Sequence, residues 1–83
     1  MAKGDKLLER MRDNPRDWGI SEVERVCHAF GIDCAAPRGG GSHYKVKHLS
    51  QVKILTVPAH RPIREWYIDD LVDFVDAVKE ATK

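Results

Sequence analysis

The spacing of apolar residues changes twice along this chain of 83 residues, and these changes restrict the fold more than any other feature of the sequence. In the first third, apolar residues recur at the helical intervals i, i+3, i+4 and i+7, namely at Val23, Val26, Cys27 and Phe30. Residues 32–57 show short β-branched or alternating runs broken by glycine and proline, and residues 67–81 return to helical spacing. This order predicts an α+β domain rather than an all-helical or all-β one.

Two helices are predicted before the strands. The first covers Lys3 to Asp13 and ends at Asn14-Pro15, because proline disfavours helical backbone in the preceding residue. The second begins at Ser21, which forms a Ser-x-x-Glu capping box with Glu24. It ends at Gly31, which can adopt the left-handed conformation that is common after a helix.

Three strands are predicted next, over residues 32–36, 43–48 and 52–57. The connections between them are short, which favours an antiparallel meander. A last helix over residues 67–81 gives the order α-α-β-β-β-α. We expect the helices to cover one face of the three-stranded sheet and to leave the other face open.

The length and composition predict one small domain that stays in the cytoplasm. With 42% hydrophobic and 33% charged residues, the chain is too apolar to be disordered and too charged for a membrane protein. Its first residues are polar where a signal peptide would be apolar.

Cys27 and Cys34 are expected to be reduced thiols, because the chain shows no secretory signal. A zinc site formed by these cysteines, His28 and a distant histidine matches no regular ligand spacing, and buried structural cysteine is the preferred interpretation. The sequence therefore predicts no metal and no cofactor.

Charge is segregated along the chain although the net charge is only +1. Residues 34–64 contain six lysines and arginines, three of the four histidines, and no aspartate or glutamate. Such a segment is a candidate electropositive surface for a polyanion. A solvated sheet face whose lysines only aid solubility is the alternative.

His43 is the strongest candidate for chemistry. Side chains alternate along a strand, so three basic residues share the open face of the sheet: His43, Lys45 and Lys47. Histidine suits a general acid or base because both of its forms are populated near neutral pH. The run Gly39–Gly41 before it allows a phosphate close to the backbone, although a hairpin turn needs glycine for ordinary conformational reasons as well.

The other histidines and the tryptophans are interpreted mainly as structural. His48 is predicted on the helix-facing side of its strand, and His28 at an exposed helix position. His60 is a phosphate contact, a second acid or a turn-stabilising residue. Trp18, which is expected over the first helix, and Trp66 are interpreted as packing residues rather than platforms for base stacking.

Two motifs together resemble a known family. Gly41-Ser42-His43, followed by Ile54-Leu55-Thr56-Val57-Pro58-Ala59-His60 and a terminal helix, resembles the HicA toxin family, also called YcfA-like, of type II toxin–antitoxin systems. The resemblance covers residues 21–78 and implies a fold similar to a double-stranded-RNA-binding domain. Residues 1–83 then form a single HicA-like domain, with a core over 21–83 and an extra helical segment over 1–20.

The resemblance also implies a function. HicA-like proteins are metal-independent endoribonucleases that cleave mRNA (mRNA interferases) and are neutralised by a cognate HicB antitoxin. The catalytic histidine of the family corresponds to His43. The residues expected to bind RNA around it are Gly41, Ser42, Lys45, Lys47, Lys53, His60 and Arg61. An antitoxin would act most simply by covering His43 and presenting acids to the basic face.

The alternative is a non-catalytic module with the same fold that binds RNA or a protein partner. Modules of the double-stranded-RNA-binding type recognise RNA through shape and phosphate contacts. They usually present lysines at the start of the last helix, where this chain has Asp69 and Asp70. These acids would repel phosphates and disfavour the RNA-binding form of that alternative, whereas the partner-binding form stays open.

Overall fold

The computed structural model describes residues 3–59 and 61–82. In this part of the chain, three α-helices and three strands follow one another in the predicted order: α1 (Lys3–Asp13), α2 (Ile20–Ala29), β1 (Asp33–Ala35), β2 (His43–Lys47), β3 (Leu55–Pro58) and α3 (Glu65–Ala81). A short 3-10 turn over Arg38–Gly40 joins β1 to β2. The predicted α+β class and the order α-α-β-β-β-α are confirmed.

The first helix has the predicted bounds and packs against the other two helices. Leu8 and Met11 are fully buried in the core between α1, α2 and α3. The Arg12 guanidinium donates to both carboxylate oxygens of Asp76 on α3, at 2.7 and 2.8 Å. Trp18 is buried, as predicted, and its indole N–H donates to the Asn14 carbonyl at 2.6 Å.

The second helix begins one residue before the predicted position and has a different cap. Gly19 is the N-cap, and its backbone N–H donates to the Glu22 carboxylate at 2.7 Å. The predicted capping box of Ser21 and Glu24 is therefore wrong. The spacing of a capping box is found instead two positions earlier, at Gly19-x-x-Glu22. The extended backbone of Gly19 allows the helix to begin there.

The end of the second helix is as predicted. Gly31 adopts a left-handed conformation with φ of 68°. The N–H of Ile32 donates to the Cys27 carbonyl at 2.8 Å, and that of Gly31 to the His28 carbonyl at 3.2 Å. These two bonds form a Schellman motif, which satisfies carbonyls that the end of a helix leaves free.

The sheet is antiparallel with the order β1-β2-β3, so β2 is the central strand. Val46 of β2 is fully buried and lies opposite Cys34 on one side and Leu55 on the other. His43, Lys45 and Lys47 are exposed on the opposite face, as the alternation predicts. The helices contact the sheet through α2 with β1 and α3 with β3, which places them on the Val46 face.

The third strand lies later in the chain than predicted. Residues 52–54 belong to the connection between β2 and β3, and pairing begins only at Leu55. Val52 is fully exposed and Ile54 is about half exposed. In the observed register, Val52 and Lys53 would face residues 49 and 48, which lie beyond the end of β2 at Lys47 and offer no partner strand.

The last helix begins at Glu65, two residues before the predicted start. Its buried side chains are Ile68, Leu71, Val72, Phe74, Val75 and Val78. No helix within residues 3–59 and 61–82 combines the length and the apolar character needed to cross a bilayer.

The two cysteines are free thiols on neighbouring elements. Cys27 of α2 is buried, and Cys34 of β1 is half-buried. A hydrogen bond between the two side chains, together with burial, raises the pKa of Cys27, and the same bond lowers the pKa of Cys34. Within the described residues, no group of three or more His, Cys, Asp or Glu side chains is arranged to hold a metal ion.

Candidate active site

His43 is the first residue of β2 and lies open to solvent at the edge of a cavity. The cavity has a volume of about 390 Å³ and is lined by His43, Pro58, Pro62, Arg64 and Tyr67. The Nδ1 atom of His43 is 3.4 Å from the Ser42 hydroxyl oxygen. His43 is thus accessible to a ligand and shares the cavity with Arg64 and Tyr67.

The glycine-rich turn before β2 sets the position of His43. Gly39 has φ of 72°, a conformation that favours glycine, and it lies inside the 3-10 turn that reverses the chain. Ser42 then accepts a hydrogen bond from the Ala59 N–H through its carbonyl oxygen at 2.6 Å. His43 lies opposite Pro58 in the sheet. The Gly-Ser-His motif is therefore held against the end of β3.

The segment that leads into α3 brings Arg64 to the same cavity. Ile63 is buried, and its N–H donates to the Trp18 carbonyl at 2.8 Å, which anchors this segment to the loop before α2. Arg64 follows with an extended backbone and is the N-cap residue of α3, and Tyr67 lies in the first turn. One anchor thus fixes the start of α3 and places Arg64 and Tyr67 on the cavity that His43 lines.

Arg64 and Tyr67 are not among the residues that the sequence predicts for the site. Arg64 is the last cation of the acid-free segment 34–64, and this is the signal that could have identified it. Nothing in the spacing shows that the loop after β3 folds back towards His43. That placement depends on the anchoring of Ile63 by Trp18, which is a tertiary contact.

Trp66 is partly exposed rather than packed in the core. The residue is 55% exposed, and its ring stacks on that of Tyr67 with the centroids 3.8 Å apart and the planes 25° apart. The buried stripe of α3 starts at Ile68. Two residues correspond to roughly 200° around a helix, so Trp66 points almost opposite to that stripe. The expectation that Trp66 is a core residue is therefore wrong.

The predicted lysines on β2 lie on the open face, at increasing distance from His43. Lys45 is exposed and lies opposite Ala35 and Thr56, so its neighbours on this face carry no charge. Lys47 ends the strand opposite Asp33 of β1. The basic face is thus free of acids near His43 and carries an acid at its far end.

The other predicted RNA-binding residues are distributed over both ends of β2. Gly41 and Ser42 are exposed in the turn next to His43. Lys53 is exposed in the connection between β2 and β3, at the end of β2 opposite to His43. Arg61 is 70% exposed and pairs with Glu22 at the start of α2 at 3.4 Å, and it does not line the cavity. His60 lies outside the described residues.

The cavity around His43 has a positive electrostatic character. None of its lining residues is an acid, whereas Arg64 contributes a permanent positive charge. Glu65, the neighbour of Arg64 in the chain, pairs with Arg16 at 2.6 Å, so its negative charge is compensated. The cavity therefore favours an anionic ligand such as a phosphate.

Comparison with protein-family models, curated proteins and solved structures finds no match to this chain. The case for a function therefore rests on the residues around His43 and on the two sequence motifs. An exposed imidazole beside a guanidinium and a glycine-rich turn can bind a phosphodiester and move a proton on it.

Proposed function

We propose that this protein is a HicA-like toxin of a type II toxin–antitoxin system, a metal-independent endoribonuclease that cleaves mRNA. In this proposal, residues 21–83 form a fold like that of a double-stranded-RNA-binding domain, and His43 is the general acid/base. The observation that carries the proposal is that His43 lies open to solvent, directly after the glycine-rich turn, in a cavity that it shares with Arg64 and Tyr67.

The reaction uses the 2′-hydroxyl of RNA as the nucleophile. His43 takes the proton of this hydroxyl, and the 2′-oxygen forms a bond to the adjacent phosphorus. The bond from phosphorus to the 5′-oxygen breaks, which leaves a 2′,3′-cyclic phosphate and a 5′-hydroxyl. The departing 5′-oxygen takes up one proton from the solvent, and His43 afterwards releases the proton it took to the solvent, so atoms and charge balance. Histidine suits this step because its ordinary pKa of about 6.5 lies near the working pH.

The other cavity residues support the phosphate in this reaction. The Arg64 guanidinium donates to the non-bridging phosphate oxygens and stabilises the charge that grows on them. The Tyr67 hydroxyl, on the same cavity, donates a hydrogen bond to the phosphate or to the departing oxygen. Arg64→Ala and Tyr67→Phe are expected to slow cleavage without unfolding the protein, since Arg64 is exposed and Tyr67→Phe keeps the ring that packs against the core.

The RNA strand continues over the open face of the sheet, where Lys45 and Lys47 contact its phosphates. Lys53 and Arg61 contribute to the overall attraction of RNA from positions outside the cavity. A cognate HicB-like antitoxin would neutralise the protein by covering His43 and by placing carboxylates opposite Arg64 and Lys45.

Cleavage of a short single-stranded RNA in EDTA tests the proposal. The wild type is compared with His43→Ala and with His28→Ala, which removes an exposed histidine of α2 outside the cavity. Loss of proton transfer is expected to slow cleavage by about 10²- to 10⁴-fold in His43→Ala only. Circular dichroism confirms that all three proteins are folded.

Two results would contradict the proposal. If His43→Ala cleaves as fast as the wild type, His43 is not the catalytic residue. If no protein cleaves RNA in EDTA but all of them bind it, the protein is a non-catalytic RNA-binding module.

A further inference from the structure

A second hollow adjoins the His43 cavity and contains the exposed tryptophan. It has a volume of about 470 Å³, and its lining includes Asp17, Glu65 and Trp66. Pro62 and Arg64 line both this hollow and the His43 cavity, so the two share a wall. A ligand with two connected parts can occupy both hollows and contact Arg64 between them.

Trp66 presents one free aromatic face. Tyr67 covers the other face, because the two rings are stacked at 3.8 Å. Trp66 is nevertheless 55% exposed as a residue, so the stacking on Tyr67 leaves much of its surface open to solvent. A large aromatic side chain that a neighbour holds in place is a rigid surface for stacking of a second flat ring.

The charges around Trp66 suit a neutral ring better than a phosphate. The hollow is lined by two cations, Arg16 and Arg64, and by two acids, Asp17 and Glu65. Arg16 and Glu65 are paired at 2.6 Å. Carboxylate oxygens accept hydrogen bonds from the amino and imino groups of nucleobases, and a guanidinium donates to their carbonyl oxygens. The second hollow therefore differs from the His43 cavity, which contains no acid.

We propose that Trp66 is a stacking platform for one unpaired nucleobase of the RNA. The phosphate attached to that nucleotide is the scissile one, which contacts Arg64 in the cavity of His43. This inference rests on the proposed function and makes it more specific, because the bases of a duplex are stacked inside the helix and cannot reach the indole. The substrate is therefore RNA that is single-stranded next to the scissile phosphate.

Equilibrium binding in EDTA tests this inference in a His43→Ala background, where the RNA stays intact. The probes are a 12-nucleotide single-stranded RNA and the same strand paired with its complement. Trp66→Ala is expected to weaken binding of the single strand by about 5- to 150-fold, whereas duplex binding stays unchanged. Trp66→Phe, which keeps an aromatic face, is expected to retain most of the affinity.

The matched control is Leu49→Ala, which removes an even more exposed apolar side chain at the other end of β2. It is expected to bind both probes like the parent. A second readout uses Trp18→Phe, in which Trp66 is the remaining tryptophan. Stacking of a base on the indole is expected to quench its fluorescence on addition of the single strand.

The results separate this inference from the proposed function. If wild-type cleavage depends on His43 but Trp66→Ala binds the single strand as tightly as its parent, the stacking platform is wrong and the nuclease stands. Equal weakening of single-strand and duplex binding in Trp66→Ala also overturns the platform. If the parent binds neither probe and the wild type does not cleave RNA, both proposals are wrong.

Discussion

The two ends of β2 differ in chemistry although they belong to one strand of five residues. At its first residue, His43 adjoins a cavity with Arg64 and Tyr67. Beyond its last residue, the chain enters a connection in which Leu49 and Val52 are fully exposed. This apolar end lines a wider hollow of about 730 Å³.

The difference follows from how the neighbouring chain is held at each end. Beside His43, the carbonyl of Ser42 accepts from Ala59, and Ile63 is tied to Trp18, so distant segments meet there. Beyond Lys47, the hydrogen bonds are local: His48 accepts from the Ser50 N–H through its ring at 3.0 Å, and its carbonyl accepts from Gln51 at 3.0 Å. Tertiary contacts thus build a defined site at one end, whereas the other end is shaped by a turn.

At the apolar end of β2, loss of a buried side chain should destabilise the protein far more than loss of an exposed one. Leu55→Ala is expected to lower the free energy of unfolding by about 2–5 kcal/mol, because Leu55 is buried where β3 begins. Leu49→Ala is expected to change it by less than about 0.5 kcal/mol, since the side chain is already in solvent. Urea unfolding followed by tryptophan fluorescence measures both. A loss above 1 kcal/mol in Leu49→Ala would show that the connection is packed.

Removal of a cation at the His43 end of β2 should weaken RNA binding more than removal of a cation at the other end. Arg64→Ala is expected to weaken binding of single-stranded RNA by about 10- to 150-fold, because a charge-assisted contact with a phosphate is worth about 1.5–3 kcal/mol. Lys53→Ala, beyond the other end, removes only long-range attraction, and its effect should be within about fivefold and disappear at high salt. Titrations at two salt concentrations measure this. If Lys53→Ala loses more RNA affinity than Arg64→Ala, the RNA binds at the end of β2 opposite to His43, which would contradict our account.

The smallest change in stability is expected from the ion pair between α1 and α3, which lies away from both ends of β2. The guanidinium of Arg12 lowers the pKa of Asp76 through a side-chain hydrogen bond. Asp76→Asn should therefore cost about 0.5 kcal/mol at pH 7, a modest value because both side chains are more than one-third exposed.

The pH dependence of this effect has a defined sign. The contribution of Asp76 is present above its unfolded pKa of about 3.9 and is lost as the pH falls through its lower folded value. The stability difference between the wild type and Asp76→Asn should thus vanish in acid, and RNA cleavage should be unchanged. A difference that persists below pH 2 would contradict the assignment to this ion pair.

Local patterns in the sequence predict most of the fold. The helical spacing, the glycine at residue 31 and the alternation along β2 give the element order, the end of α2 and the open face correctly. The errors concern features that depend on neighbours. Ser21-x-x-Glu24 has the composition of a capping box, yet Gly19 caps the helix. Val52 and Ile54 are β-branched, yet β2 ends at Lys47 and β3 pairs with it only from Leu55.

The candidate site is predicted only in part from the sequence. His43 and the lysines of β2 follow from alternation, because a strand fixes which side chains share a face. Arg64, Trp66 and Tyr67 do not follow, because the segment after β3 is positioned by the contact of Ile63 with Trp18. The ion pair of Arg61 with Glu22 does not follow from the sequence either, because it joins segments that lie far apart in the chain.

The most direct test of our account is to map where RNA binds along β2. Backbone amide chemical shifts of His43→Ala, which is expected to leave the RNA intact, are followed by NMR during titration with single-stranded RNA in EDTA. We predict the largest shifts in residues 41–45 and 61–67, around the cavity of His43, Arg64 and Tyr67. Largest shifts in residues 48–54, or none at saturating RNA, would contradict the assignment of the RNA site to the His43 end.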